Sequence, residues 1–147
     1  MPSPQLGSIS VGQGTVVEIR GISDEIAKKI HLKAGSNCRI MLDGIITMNK
    51  PIWILMGDSA SFFMKEGQMF NGAVSFCLHE PSSMYIGAAC LWGSGSLQTS
   101  DMHSILDKAT HGRINPPGNI TIGDRVWFGQ DFLVLKQADI GHDSVVA

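Results

Sequence analysis

The stretch LQTSDMHSILD, residues 97–107, presents a histidine, His103, among polar neighbours that include Asp101 and Asp107. An imidazole with an ordinary pKa near ~6.5 is well suited to accept and return a proton at neutral pH. A carboxylate bonded to the second ring nitrogen would fix the tautomer, and either aspartate is a candidate. The alternative is a solvated loop histidine without a catalytic role, and the scaffold around His103 distinguishes the two.

A six-residue repeat follows this stretch. Counted from Ile122, every sixth residue is aliphatic or aromatic (positions 122, 128, 134, 140 and 146), and the next residue is mostly Gly or Ala. Neither a helix nor a simple alternation has this period, whereas hexapeptide repeats are typical of a parallel β-helix in which three hexads close one triangular coil. The same six-residue pattern is present in IGAACLWGSGSL, residues 86–97, and weakens before residue 84. A β-sandwich with glycine-rich turns is the alternative, but its strands do not normally repeat at six.

The repeats predict a single all-β domain over residues 1–147, with irregular early coils at 1–65 and a hexapeptide-repeat region at 66–147. Residues 98–119 contain no hexads and end in a Pro-Pro-Gly turn signal, so we expect a loop extruded from the β-helix there. Residues 24–30 are interpreted as an irregular coil or loop rather than a helix. Loops on a rigid scaffold commonly carry catalytic groups, which favours a chemical role for His103.

Composition and charge argue against several classes of function. The net charge of −2 gives no electrostatic attraction to nucleic acid or to an anionic membrane surface. The three cysteines lack the close spacing of a disulfide framework or a zinc site, and no metal is expected. No signal peptide is recognisable, and the apolar run IWILM at 52–56 is too short to span a bilayer. We therefore expect a cytoplasmic protein without membrane insertion.

Three segments together resemble the hexapeptide-repeat acyltransferases. They are MYIGAACLWGSGSLQTSDMHSI (84–105), RINPPGNITIGDRVWFGQ (113–130) and ADIGHDSVVA (138–147). The branch that O-acetylates sugars during bacterial surface or capsular polysaccharide biosynthesis is the most similar. The resemblance implies a left-handed parallel β-helix shaped as a triangular prism, and a homotrimer with active sites between subunits. It also implies acetyl-CoA as acyl donor and a sugar or glycan hydroxyl as acceptor.

The same resemblance assigns the catalytic histidine to His103. A sugar hydroxyl is a weak nucleophile at neutral pH, and a general base that removes its proton during attack on the thioester supplies the missing reactivity. Asp101 is the first candidate to orient the ring, with Asp107 or a residue of the neighbouring subunit as alternatives. The sequence does not identify the groups that would stabilise the oxyanion.

The resemblance also implies residues that bind CoA and residues that bind the acceptor. Trp127, Gly129 and Gln130 match the stretch that borders the CoA site, so they are the cofactor-binding candidates. Asn71 and Glu80 match positions that carry polar acceptor-binding residues in related enzymes. These five residues, with His103 and Asp101, make up the predicted site.

Two departures from the family pattern keep alternatives open. The hexad VLKQAD (134–139) lacks the usual proline and glycine, and the chain stops at Ala147 within a hexad, before the segment that contacts CoA in related enzymes. The sequence therefore predicts either a truncated acetyltransferase or weakened donor binding, and a non-catalytic trimeric β-helix module is one alternative. A metal-dependent enzyme of the carbonic-anhydrase type is another. It would require His103 and His111 to converge with His79 or His142, and their spacing does not favour this.

Overall fold

The computed structural model describes residues 4–147, in which the chain winds through about six turns of a three-sided parallel β-helix. Sheet A contains β1 (Ser8–Val11), β3 (Ile30–Ala34), β6 (Ile52–Met56), β9 (Val74–Leu78), β12 (Gly95–Gln98) and β15 (Phe132–Leu135). Sheet B contains β2 (Val16–Arg20), β4 (Arg39–Asp43), β7 (Ser61–Met64), β10 (Ser83–Ile86), β13 (Ile120–Ile122) and β16 (Asp139–Ile140). Sheet C contains β5 (Ile45–Met48), β8 (Gln68–Phe70), β11 (Leu91–Trp92), β14 (Trp127–Phe128) and β17 (Val145–Val146).

One short helix, α1 (Asp24–Ala27), follows the first sheet-B strand, where later coils form a strand of sheet C. Ser23 is its N-cap and accepts a hydrogen bond from the Ile26 backbone N–H, and two acidic residues occupy the first turn. Both features stabilise a helix start. The interpretation of residues 24–30 as coil or loop was therefore wrong for these four residues.

The length of a coil changes along the prism. Leu32, Ile54 and Phe76 are successive partners in sheet A, so each of these two coils takes 22 residues. Ile122 and Ile140 are partners in sheet B, and here the coil takes 18 residues, which is three hexads. The hexad pattern therefore weakens in the early half because its corners are longer, although the stacking of strands is the same.

The core runs through the centre of the prism and is formed by the inward residues of all three sheets. The hexad positions Ile122, Phe128 and Val134 are buried, as the repeat predicted. Aromatic rings fill the middle: Trp92 stacks on Phe128 with ring centroids 4.3 Å apart and planes 3° apart. Such stacked rings add to the area burial that holds neighbouring coils together.

Three edges of the prism separate the sheets, and we name them by the strands they join. Edge AB links each sheet-A strand to the following sheet-B strand, edge BC links sheet B to sheet C, and edge CA links sheet C to the next sheet-A strand. The loop predicted at 98–119 lies at edge AB, between the end of β12 at Gln98 and the start of β13 at Ile120. The predicted fold, an all-β parallel β-helix with one extruded loop, is confirmed.

Candidate functional site

The extruded loop has an ordered tip. An antiparallel bridge joins Leu106 to Arg113, and the Ile114 N–H donates to the Ile105 carbonyl. The Asp107 carboxylate accepts hydrogen bonds from the backbone of Ala109 and from both the backbone and hydroxyl of Thr110. These bonds, led by the Thr110 backbone, hold the pKa of Asp107 below its ordinary value. Asp107 therefore closes the turn at the tip instead of orienting His103 within its own chain.

His103 lies near the base of the loop with its side chain exposed. Its backbone carbonyl accepts a hydrogen bond of 2.7 Å from the Asn115 side-chain amide. Within residues 4–147, no hydrogen bond joins the His103 ring to another group. The structure thus fixes the backbone of His103 and leaves both ring nitrogens open to a ligand or to a neighbouring copy.

Asp101 lies two residues before His103 and has other partners. Its Oδ2 atom accepts from Lys136 Nζ at 2.5 Å and from Asn115 Nδ2 at 2.8 Å. The hydrogen bond from Lys136, followed by that from Asn115, lowers the pKa of Asp101. Asp101 is therefore ionised at neutral pH, and its contact with His103 runs through Asn115 rather than directly to the ring.

Glu80 lies at edge AB in the coil before the loop and forms a bidentate pair with Arg113. Arg113 donates from Nη1 to Oε1 at 2.5 Å and from Nη2 to Oε2 at 2.8 Å, and the Ser100 hydroxyl also donates to Oε2. The Arg113 hydrogen bonds, then that from Ser100, lower the pKa of Glu80 from about 4.5 to about 2. Both carboxylate oxygens are thus engaged by the protein itself.

The cofactor-binding candidates lie on and beside sheet C. Trp127 is 54% exposed on its outer face, between Leu91 and Val145 of the neighbouring strands. Gly129 and Gln130 follow directly at edge CA. The Gln130 side-chain oxygen accepts from the Ser94 hydroxyl at 2.7 Å, which leaves its amide N–H groups at the surface.

Asn71 belongs to the same edge as Gly129. Its backbone N–H donates to the carbonyl of Trp92, and its side-chain oxygen accepts from Asn49 at 3.2 Å. Asn71 is exposed, so its remaining hydrogen-bonding capacity faces solvent. It therefore lies at edge CA with Gln130 and not beside Glu80.

The predicted site residues thus form two groups on different edges. His103, Asp101 and Glu80 lie at edge AB, whereas Asn71 and Gln130 lie at edge CA. Sheet A, with strands of four or five residues, separates these edges by about 15 Å at ~3.3 Å per residue. A single chain does not bring the two groups together.

Four residues whose side chains hydrogen-bond at the base of the loop were not predicted from the sequence: Ser100, Arg113, Asn115 and Lys136. Lys136 had a visible signal, since it stands in the hexad VLKQAD where the family pattern has small or apolar residues. Arg113 and Asn115 had none, because a polar residue in a loop does not reveal its partner.

The histidines of the metal-site alternative are not brought together. His142 lies at edge BC, where its Nδ1 accepts from the Asp124 backbone N–H at 2.8 Å. Among the residues that the structure describes, no group of three or more His, Cys, Asp or Glu side chains could hold a metal ion. No helix in the same range is long and apolar enough to cross a membrane.

Known proteins that are similar to this chain include an O-acetyltransferase in sequence and acetyltransferases in structure. No family model matches the chain. The polysialic acid O-acetyltransferase of Neisseria meningitidis is 26% identical over 127 residues, covering 86% of this chain and 58% of that protein. The chain therefore spans somewhat over half the length of this curated relative.

The structural comparison shows the fold. The crystal structure of the polySia specific acetyltransferase NeuO has a TM-score of 0.64 at 19% identity, covering 94% of this chain and 74% of that one. The polysialic acid O-acetyltransferase OatWY has a TM-score of 0.43 at 17% identity, covering 93% and 78%, and no conclusion rests on it. The resemblance seen in the repeats is thus confirmed: the chain is similar in sequence to an O-acetyltransferase and has the left-handed parallel β-helix of the hexapeptide-repeat acetyltransferases.

Proposed function

We propose that this chain transfers an acetyl group from acetyl-CoA to a hydroxyl group of a sugar or glycan, with His103 as general base. The observation that carries the proposal is the similarity to a polysialic acid O-acetyltransferase over 86% of the chain, a span that includes the loop with His103. The open ring nitrogens of His103 support it, since a general base needs a free nitrogen within reach of the hydroxyl proton.

In the proposed reaction, His103 accepts the proton of the acceptor hydroxyl as its oxygen attacks the thioester carbonyl. The C–O bond forms, the tetrahedral intermediate collapses, and the C–S bond breaks. The imidazolium then returns the proton to the departing CoA thiolate, so that free CoA and the O-acetylated glycan are the products. This order of proton transfers leaves His103 neutral for the next turnover.

The acceptor we propose is an acidic glycan of the polysialic acid type, on which the similar enzyme acts. The donor side of the site would consist of Trp127, Gly129 and Gln130. The outer face of Trp127 offers a flat apolar surface, and the surface amide of Gln130 offers hydrogen-bond donors. Both suit a CoA molecule, whose pantetheine arm carries amide carbonyls and a thin aliphatic chain.

The separation of the two groups of site residues supports a trimer. If three prisms face a common axis with sheet A, edge AB of one copy meets edge CA of the next, and His103 approaches the Trp127 of its neighbour. The outer positions of sheet A suit such contact: they include no Asp or Glu, and Leu133 and Leu135 are 58% and 52% exposed. Exposed apolar residues without acidic neighbours are typical of subunit interfaces.

Transfer activity is tested by release of CoA thiol from acetyl-CoA in the presence of polysialic acid. We expect His103→Asn to lower kcat by about 100-fold or more, the usual contribution of a general base. His111→Asn, in the same loop, is the matched control and should retain activity. If the wild-type chain neither binds acetyl-CoA nor releases thiol, the non-catalytic module replaces the enzyme as the interpretation. If His103→Asn keeps full activity, the assignment of the base is wrong.

Shared sites are tested by mixing two inactive variants. His103→Asn and Trp127→Ala proteins, unfolded together and refolded at equal amounts, should regain about a quarter of wild-type activity if each site takes His103 from one copy and Trp127 from the next. Refolding each variant alone is the control. Sites built within one chain would show no recovery in the mixture.

A further inference from the structure

The loop that carries His103 is held from both sides by the coils next to it. Arg113, in the returning arm of the loop, pairs with Glu80 of the preceding coil, and Asp101, in the outgoing arm, pairs with Lys136 of the following coil. Both pairs are partly shielded from water. The side chains of Arg113 and Glu80 are 28% and 24% exposed, and those of Lys136 and Asp101 are 20% and 41% exposed. We call these four residues, with Ser100 and Asn115, the clamp.

Asn115 joins the two ion pairs at the centre of the clamp. It is 7% exposed. Its Nδ2 donates to Asp101 at 2.8 Å and to the His103 carbonyl at 2.7 Å, while its Oδ1 accepts from the Ile105 N–H at 2.6 Å and from Arg113 Nε at 3.3 Å. The full hydrogen-bonding capacity of this amide is therefore used. The bonds hold the backbone at His103 and Ile105 and connect it to the side chain of Asp101.

The carboxylates of the clamp are engaged by cations of the same chain. Glu80 receives two hydrogen bonds from Arg113 and one from Ser100, and Asp101 receives one each from Lys136 and Asn115. Charge-assisted hydrogen bonds of this kind are strong and fix the position of a carboxylate, so Glu80 and Asp101 tie the base of the loop to the neighbouring coils. Lys136 also donates to the Pro116 carbonyl at 3.2 Å, which ties the end of the loop to the same coil.

We infer that Glu80, Asp101, Arg113, Asn115 and Lys136 are positioning residues, which hold the backbone of His103 in place for proton transfer without touching the substrates. This inference rests on the proposed acetyl transfer and changes the roles that sequence suggested for two of the residues: Glu80 is not an acceptor ligand, and Asp101 is not the direct partner of the imidazole. Asn115 transmits the position of both ion pairs to His103.

Steady-state kinetics separates positioning from substrate binding. Lys136→Met and Asn115→Ala should each lower kcat by about 10- to 100-fold, as expected for a misplaced catalytic group, with the KM values for acetyl-CoA and glycan within about 2-fold of wild type. Lys136→Arg keeps the cation and should restore most of kcat. Lys108→Met, an exposed lysine at the loop tip, is the matched control. An increase in the glycan KM at unchanged kcat would show instead that the clamp contacts the acceptor.

Hydrogen exchange tests the clamp without any need for activity. Asn115→Ala removes the acceptor of the Ile105 N–H, so exchange at Ile105 should accelerate at least about 10-fold, with no change in the tip amide of Thr110, which Asp107 holds. Unchanged exchange at Ile105 would overturn the clamp itself. Faster exchange with unchanged kcat would overturn its positioning role. If the wild-type chain transfers no acetyl group, the proposed function fails while the exchange result still decides whether the clamp exists.

Discussion

Gln68 is a fully buried amide in the core, and its replacement offers a quantitative test of how the coils are held together. Its Nε2 donates to the carbonyls of Lys65 and Gly87 at 2.9 and 2.7 Å, and its Oε1 accepts from Trp92 Nε1 at 2.8 Å. The three partners come from two successive coils. Trp92 in turn stacks on Phe128, next to Gly129 and Gln130 at edge CA.

Gln68→Leu has nearly the same volume but removes all three hydrogen bonds. A buried polar group left without a partner costs about 1–3 kcal/mol. The Trp92 indole and the Gly87 carbonyl are buried, whereas the contact with the Lys65 carbonyl is only partly buried, so the lower limit for the two buried groups is about 2 kcal/mol. The extra apolar surface of leucine offsets about 1 kcal/mol of this. We therefore expect the free energy of unfolding to fall by about 1 kcal/mol or more.

Urea denaturation followed by tryptophan fluorescence measures this change, with variants compared at one protein concentration because assembly adds to apparent stability. Trp92→Phe removes the indole donor, so the Gln68→Leu and Trp92→Phe double variant should lose less stability than the two single variants added together. A loss below about 1 kcal/mol for Gln68→Leu, or strict additivity in the double variant, would refute the reasoning.

Two further predictions follow from single contacts. Because the folded pKa of Glu80 lies near 2 and its ordinary value is 4.5, its ion pair with Arg113 stabilises the fold above about pH 4.5 and is lost as the pH falls towards 2. Urea denaturation between these pH values should show that the free energy of unfolding falls more steeply with decreasing pH in wild type than in Glu80→Gln. The same pH dependence in both proteins would contradict this prediction. Gly93 lies so close to the next coil that an added Cβ would sit 2.0 Å from the Gly129 carbonyl oxygen. Gly93→Ala should therefore lower the free energy of unfolding, measured by thermal denaturation, by about 1–3 kcal/mol. Gly141→Ala, with nothing within 4 Å of the added Cβ, should lower it far less.

The hexad period could be read from sequence because it is local. Each inward residue of the last coils is followed by its equivalent six positions later, and the burial of Ile122, Phe128 and Val134 follows from that spacing alone. In the early half the same spacing does not predict burial: Ile40, Ile46 and Ile52 are also spaced by six, yet Ile46 is 62% exposed. The pairing of β5 with β8 shifts register between Ile45 and Thr47, which leaves Ile46 outside it, and residue spacing does not reveal such a bulge.

The sequence by itself determined the parallel β-helix, the position of the extruded loop and the choice of His103 as the residue to test, because repeats and their interruption are properties of neighbouring residues. Only the tertiary structure decided the partners of Asp101 and Glu80. Lys136 and Arg113 are 35 and 33 residues away from them and meet them only because consecutive coils stack at one edge. It also decided that the predicted site residues lie on two edges of the prism, because the side on which a residue falls depends on the lengths of all the strands and corners before it.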